Sequence, residues 1–329
     1  MSPRKFRFGI LGAAKIAPNA LTLAAKLVPE VEVVAVAARD SARAHEFAKA
    51  NGIPRVLATY DELIADPECD VIYNPLPNSL HCEWSIRALR AGKHVFCEKP
   101  MASNADEAAR MAQVADETGL LLVEAFHYRY HPLADRVRAL IAGGAIGKLQ
   151  RVEANFSVPI PPDNIRFDWG LAGGATMDLG CYPLHMIRYF SGMTPRVLSA
   201  KARVGPPNID LAMEAELELA PGVTARMTCS MAADAQLGAA FLARGDRGEL
   251  SVINPVGPHW GHQLTLTTPS GVSNETVPGD TTYTHQLRAL VKALQGDRSA
   301  FPTDAHDGII GMRIIDEVYR AAGLPPRGA

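Results

Sequence analysis

Short apolar runs alternate with helix-patterned stretches through the first 125 residues. "FRFGILG" leads into a helical pattern over about Ile16–Leu27, and "VEVVAVA" into the Ala-rich "SARAHEFAKANG", which stops at Gly52 as helices commonly do. Thr59 with Glu62 three residues later makes a capping box that opens a short helix. "DVIYN", "HVFC" and "LLLVEA" supply further strands, separated by helices over about His81–Arg90 and Asp106–Glu117. Strands this apolar, each followed by a helix, predict a parallel sheet covered on both faces.

The period changes near Phe126. After a helix at about Leu133–Ala142, the runs "KLQRVEANFSV", "VLSAKARV", "AMEAELELA", "VTARMTCSM", "GELSVIN" and "HQLTLTT" alternate apolar and polar positions. Such alternation predicts a large, mostly antiparallel sheet with one face on helices and one face open. Two helical patterns follow, "THQLRALVKALQG" and "DGIIGMRIIDEVYRAAG". The expected α/β organisation is a doubly wound parallel domain over 1–125 and an α+β domain with an open-faced sheet over 126–329. The last helix, at about 307–322, is expected to pack back on the first domain. An open sheet face of this size predicts a homodimer or dimer of dimers through the strands between about Gln150 and Thr268.

Composition narrows the partners. Over 329 residues, 47% hydrophobic and 21% charged content suits a globular chain with room for two cores. A net charge of −2 with both signs scattered argues against nucleic acid and against a membrane surface. No apolar run reaches the length of a membrane span, and the opening segment, broken by Lys15, reads as a first strand and not a signal peptide. Cys69, Cys82, Cys97, Cys181 and Cys229 are odd in number, far apart and without a C-x-x-C pair. Buried free thiols and a cytoplasmic address are expected. His127/His131 and His259/His262 stand at helical spacings, but neither pair has a completing carboxylate and Pro132 interrupts the first. No metal site is expected.

Candidate chemistry begins after the first strand. In G-x-G-x-x-G/A, Gly12 and Ala17 hold the outer places and Ala14 the middle one. A turn over Gly12, Ala13, Ala14, Lys15 and Ile16 offers backbone N–H groups to a pyrophosphate, which the Ala14 methyl pushes slightly outward. The second strand ends in Ala38-Arg39 with Arg43 one turn on, where NAD-binding proteins usually carry an acid. Two guanidinium groups suit a 2′-phosphate, which predicts NADP; the alternative is NAD with Asp40 on the ribose.

"GILGAAKIA", "NPLPNSLH", "ALRAGKHVFCEKPMA", "EAFHYRYHP" and "GGATMDLGCYPLHMIRYFSG", spanning about Gly9–Gly192, resemble the glucose–fructose oxidoreductase/inositol dehydrogenase family, Gfo/Idh/MocA. Ala-Arg at the second strand end, with Tyr in the last motif, is most similar to its NADP-dependent dihydrodiol and sugar dehydrogenase branch. The resemblance implies a Rossmann domain followed by a substrate-binding domain. It implies Lys99 of E-K-P beside the nicotinamide, with Pro100 holding its backbone and with Asp178 and Tyr182 completing a catalytic set. Leu76, Pro77, Asn78, His81 and Glu98 then line the cofactor, and Arg166 and Trp169 enter the cofactor or substrate site. His131 and His185 join Lys99, Asp178 and Tyr182 as substrate contacts.

The chemistry is consistent with that set. A phenol ordinarily titrates near ~10, too high for a ready base, and a nearby ammonium lowers it by roughly 1–3 units. A carboxylate would keep the lysine charged and oriented. "GGATMDLGCY" opening a helix puts Asp178 and Tyr182 at i and i+4 on one face. Either Tyr182 or Lys99 carries the proton. The implied function is an NADP-dependent oxidoreductase that interconverts a secondary alcohol and a carbonyl on a sugar, cyclic polyol or vicinal diol. The alternatives are an NADPH-dependent reductase of nucleotide-linked keto-sugars and a non-catalytic NADP-sensing regulator.

Overall fold

A computed structural model describes residues 5–328; the first four residues of the opening segment and Ala329 lie outside the described residues. One unit of the chain comprises Met1–His127 and Tyr283–Ile310, the other Tyr128–Thr282 and Gly311–Ala329.

In the first unit, β1 (Phe6–Leu11) is followed by a π turn at Pro18–Thr22 and the short α1 (Leu23–Ala25). There follow β2 (Val31–Ala37), α2 (Ser41–Asn51), β3 (Arg55–Leu57), α3 (Tyr60–Ala65), β4 (Val71–Asn74) and α4 (His81–Arg90). Then come β5 (His94–Cys97), α5 (Ala105–Thr118) and β6 (Leu122–Glu124). The strands are parallel in the order β3-β2-β1-β4-β5-β6. This is the doubly wound order whose direction reverses between β1 and β4, where such sheets open a crevice at their carboxyl ends. All four residues of β4 are buried, as a strand covered on both faces requires. A side-chain cap starts α3 where the sequence predicts. Thr59 accepts the Glu62 N–H at 3.1 Å, and the Glu62 carboxylate takes the Ala58 N–H at 3.0 Å.

The return of the chain at 283–310 finishes this unit. Val123 of β6 bridges Asp304 in antiparallel fashion. The Glu124 N–H donates to the Thr303 carbonyl at 2.8 Å, and the Thr303 hydroxyl donates to the Glu124 carbonyl at 2.7 Å. Phe301 meets Phe96 edge-on, with ring centroids 6.4 Å apart.

The second unit holds α6 (Pro132–Ala142), β7 (Leu149–Ser157) and α7 (Cys181–Ser191), the last led by a π turn at Thr176–Gly180. Strands β8 (Arg196–Gly205), β9 (Ile209–Ala220), β10 (Val223–Ser230) and β11 (Gly238–Gly245) follow. They are continued by β12 (Gly248–Ile253), β13 (Gln263–Thr268) and β14 (Gly271–Glu275). The order is β14-β13-β12-β11-β7-β10-β9-β8, antiparallel except for the parallel pair β7–β10. Helices α8 (Thr282–Leu294) and α9 (Ala305–Ala321) close the chain.

Met213, Ala215 and Leu217 of β9 and Ala225, Met227 and Cys229 of β10 are buried, and α7 packs against β7 and β10. The intervening side chains form a lattice of ion pairs. Arg226 meets Glu214 at 2.8 Å, Arg151 meets Glu153 at 2.9 Å and Glu216 at 3.4 Å, and Arg244 meets Glu249 at 2.8 Å. The open face is therefore mainly charged, although Leu198, Val204, Ile253 and Val272 on these strands are exposed. All five cysteines are buried free thiols. Among the described residues, no helix is long and apolar enough to cross a membrane.

Candidate active site

Gly12 leaves β1 with φ of +81°, and its N–H donates to the Ala37 carbonyl at 2.7 Å. An added Cβ would lie 3.1 Å from the Leu76 side chain, so both conformation and space demand glycine. Ala13, Ala14, Lys15 and Ile16 form the turn, which is closed by the Ala17 N–H on the Ala14 carbonyl at 3.1 Å. At the end of β2, the Asp40 carboxylate accepts the Arg43 N–H at 3.1 Å and caps α2. The Arg43 guanidinium donates to the Ala13 carbonyl at 2.8 Å, tying the second strand end to the glycine turn. Arg39 is exposed beside it. Tyr60, which sequence reasoning missed, sits against this cluster. Burial pushes its hydroxyl up in pKa, while Arg39 and Arg43 pull the other way.

At the end of β4, the Asn74 side chain accepts the Leu76 N–H at 3.3 Å and donates to Ser85 at 3.1 Å. Pro77 and Asn78 are half-buried beyond it. His81, expected beside the cofactor, lies in the interior behind this loop. It is 0% exposed, with Nδ1 2.9 Å from the Pro100 carbonyl and Nε2 2.7 Å from the Leu76 carbonyl. His81 lies between the loop after β4 and E-K-P, and its single N–H in the neutral form bonds one of these two carbonyls. Burial pushes its pKa down to about 4, against the pull of the two carbonyls.

E-K-P itself is firmly held. Glu98 accepts from the Tyr73 hydroxyl at 2.7 Å and from the Lys99 N–H at 3.3 Å, and Glu124 accepts the Met101 N–H at 2.7 Å. Lys99 is half-buried. Tyr283, from the returning segment, stacks on His127 at 4.4 Å, and its hydroxyl is pushed up by burial and then by Glu98. Glu124, an acid inside the apolar "LLLVEA", was the one local hint of this support.

In the second unit, Asp178 lies in the π turn and Tyr182 in the first turn of α7. The Cys181 N–H reaches back to the Thr176 carbonyl, so the sequence's α-helical i, i+4 spacing spans a helix that starts in π geometry. Gly180 fits there because an added Cβ would press on Cys229 and Met227, each at 3.0 Å. The Tyr182 ring is 5% exposed and packs edge-on to Phe156 at 5.2 Å, with Tyr128 at 6.0 Å. Asp178 pairs with Arg166 at 2.5 Å, a partner that sequence reasoning had assigned to the cofactor or substrate. Arg166 is in turn aligned by Asn164 at 3.2 Å.

Trp169 lies against Arg327, whose guanidinium carbon is 4.3 Å from the ring centroid. His131 caps α6, its Nδ1 accepting the Leu133 N–H at 3.2 Å, and is 1% exposed. His185 is buried, with Nδ1 2.5 Å from the Tyr128 hydroxyl; burial, then Arg188 and Arg129, hold it neutral by pushing its pKa well down. The Nδ1 of His131 is thus used in a helix cap and that of His185 in a hydrogen bond with Tyr128. Among the described residues, no group of three His, Cys, Asp or Glu side chains could hold a metal ion.

Comparison with known proteins agrees with this architecture. The description "Oxidoreductase family, NAD-binding Rossmann fold" of the GFO/IDH/MocA family matches residues 6–126, and the family's C-terminal domain matches residues 134–251. The chain is 36% identical over 320 residues to a D-xylose 1-dehydrogenase (NADP(+)) of Haloferax volcanii, covering 96% of this chain and 97% of that protein. It is 36% identical over 252 residues to a bovine (Bos taurus) trans-1,2-dihydrobenzene-1,2-diol dehydrogenase, covering 76% and 74% of the two chains. Among solved structures, KijD10, a 3-ketoreductase from Actinomadura kijaniata in complex with NADP and TDP-benzene, superposes with a TM-score of 0.89 at 29% identity, covering 97% and 98%. The chain belongs to the Gfo/Idh/MocA oxidoreductase family.

Proposed function

We propose that this chain is an NADP-dependent oxidoreductase interconverting a secondary alcohol and a carbonyl on a sugar, cyclic polyol or vicinal diol. The observation that carries it is the turn ahead of α7. A phenol stands at the head of a helix whose preceding turn bears a carboxylate held by an arginine. The relatives named for D-xylose and dihydrodiol oxidation support the substrate class. The turn from Gly12 to Ile16 with Arg39 and Arg43 would hold NADP, which would supply the hydride acceptor or donor. Tyr182 takes the hydroxyl proton in oxidation and returns it in reduction, and the family resemblance gives Lys99 the part of favouring the phenolate through its charge. Asp178, itself held by Arg166, steadies the polar end of the turn. Glu98, fixed by Tyr73, holds the Lys99 backbone. The first unit has the dinucleotide role and the second the substrate role. Screening pentoses, hexoses, inositols and trans-diols with NADP⁺ while following NADPH absorbance tests this reading, and no turnover with any of them would sink it. The likeness to KijD10 favours a second reading, reduction of a nucleotide-linked keto-sugar. Oxidation of NADPH by such a sugar, with none by free sugars, selects it.

The cofactor choice rests on Arg39 and Arg43, because Asp40 is engaged as the cap of α2. Charge-assisted hydrogen bonds contribute roughly 1.5–3 kcal/mol each. Arg39→Ala therefore weakens NADP⁺ by about 10- to 100-fold and NAD⁺ much less, as read by fluorescence titration. Equal losses for both cofactors would put the guanidinium elsewhere.

Two copies are expected to pair through the open sheet face, whose charges of both signs and exposed Leu198 and Val204 suit a self-complementary contact. Light scattering at micromolar concentration reads this out, and a monomer would overturn it. Five buried thiols fit a reducing compartment such as the cytoplasm.

A further inference from the structure

The segment after α9 runs into the interior of the second unit, where Arg327 and Asp210 are each 0% exposed and paired. The Arg327 Nε donates to the Gly173 carbonyl at 2.8 Å, and its guanidinium carbon lies 4.3 Å from the ring centroids of both Trp169 and Tyr319. Asp210 also accepts the Thr176 N–H at 2.7 Å, the Thr176 hydroxyl at 2.6 Å and the Tyr319 hydroxyl at 3.0 Å. Gly174 fills the gap. An added Cβ there would collide with the Asp210 carboxylate and stand 2.9 Å from the Tyr319 hydroxyl and 3.0 Å from the Arg327 guanidinium.

The contacts to Trp169, Gly173, Gly174 and Thr176 bear on the short stretch that leads into the turn carrying Asp178. The Gly174 N–H donates to the Arg166 carbonyl at 2.9 Å, and its carbonyl accepts the Asp178 N–H at 3.1 Å. Buried ion pairs are weak sources of net stability, so stability alone is a poor reason for this one. A planar guanidinium with five donors does what no apolar group could, reaching a carboxylate, a backbone carbonyl and two aromatic faces at once.

We propose that Arg327 is a positioning residue of the active site, fixing through Asp210, Gly173 and Trp169 the turn that aims Asp178 and Tyr182. This rests on the proposed roles of Asp178 and Tyr182 in proton transfer. Small misplacement of a reacting group costs as much as about 10²-fold in rate. Arg327→Lys keeps a charge for Asp210 but lacks the planar fork. Its urea midpoint is expected near wild type and its NADP⁺ Kd within about twofold, with kcat per NADP⁺-titrated site lower by about tenfold or more. The loss is expected to be non-additive with that of Asp178→Asn, which simple loosening of the fold would not produce. A folded Arg327→Lys with kcat within about twofold of wild type, or losses that add with Asp178→Asn, overturns the inference. Should Arg327→Lys fail to fold, Arg327→Met/Asp210→Asn removes the buried charges together, and the same readings decide. Tyr182→Phe is run in parallel: normal turnover there refutes the proton-transfer reading and the inference with it, whereas a slow Tyr182→Phe beside a normal Arg327→Lys refutes the inference alone.

Discussion

Tyr182→Phe is expected to lower kcat by about 10²–10⁴-fold while leaving NADP⁺ affinity nearly unchanged, the usual contribution of a general acid–base group. The variant keeps the ring, which is buried edge-on to Phe156 at 5.2 Å, so the fold has no reason to respond. Only the hydroxyl disappears. Lys99→Met is expected to lower kcat as well, and the two losses should not multiply in the double variant, because the groups act as one unit. Steady-state rates with the best substrate of the screen, beside fluorescence titration with NADP⁺, separate chemistry from binding. Near-normal turnover in Tyr182→Phe with an inactive Lys99→Met would transfer the proton to the lysine.

The second large effect is on stability. Asp210→Ala strips the acceptor from Thr176 and Tyr319 and leaves the Arg327 guanidinium enclosed without its carboxylate. Breaking a buried pair in this way costs about 3–5 kcal/mol, a large part of a typical stability. Burial pushes the Asp210 carboxyl up in pKa, with Arg327 and the hydrogen bonds from Thr176 and Tyr319 pulling the other way. Urea unfolding measures the loss. Asp210→Ala/Arg327→Met is expected to recover most of it, since no charge is then left buried. A single variant within about 1 kcal/mol of wild type would mean that water or other groups satisfy the guanidinium.

Elements governed by local chemistry were legible in the sequence. The cap at Thr59, the stop at Gly52 and the alternation in β9 and β10 depend on residues a few positions apart. Three strands were not legible. β3 has only three residues, β14 is exposed along nearly its whole length, and β11 lies in "GAAFLARG", which lacks clean alternation. The π geometry at Thr176–Gly180 left no mark on the periodicity, and the tight space at Gly180 is set by Cys229 and Met227 from the distant β10.

The family resemblance assigned Lys99, Asp178 and Tyr182 through local motifs, but no local pattern announces that Asp178 pairs with Arg166. His81 shows a similar limit. Its motif gives no sign that carbonyls from two separate loops lie beside its two nitrogens. The glycines of "GGATMD" are conspicuous in the sequence, yet the reason for Gly174 lies in Asp210, Tyr319 and Arg327, distant along the chain, while Gly173 is required by the nearby backbone of Arg166 and Asp168.

The antiparallel bridge between Val123 and Asp304 also sets the order in which the chain can finish folding on a ribosome. Domains generally complete themselves as they are synthesised, beginning with the earliest. Here β6, at the end of its sheet, keeps an open hydrogen-bonding edge until Thr303 and Asp304 have been made. By then nearly all of the second unit has been translated. The nucleotide-binding unit therefore starts first and ends late, and its exposed strand is a liability to be guarded in nascent chains. Protease resistance of ribosome-bound chains should rise at this edge only once residues 303 and 304 have emerged from the ribosome.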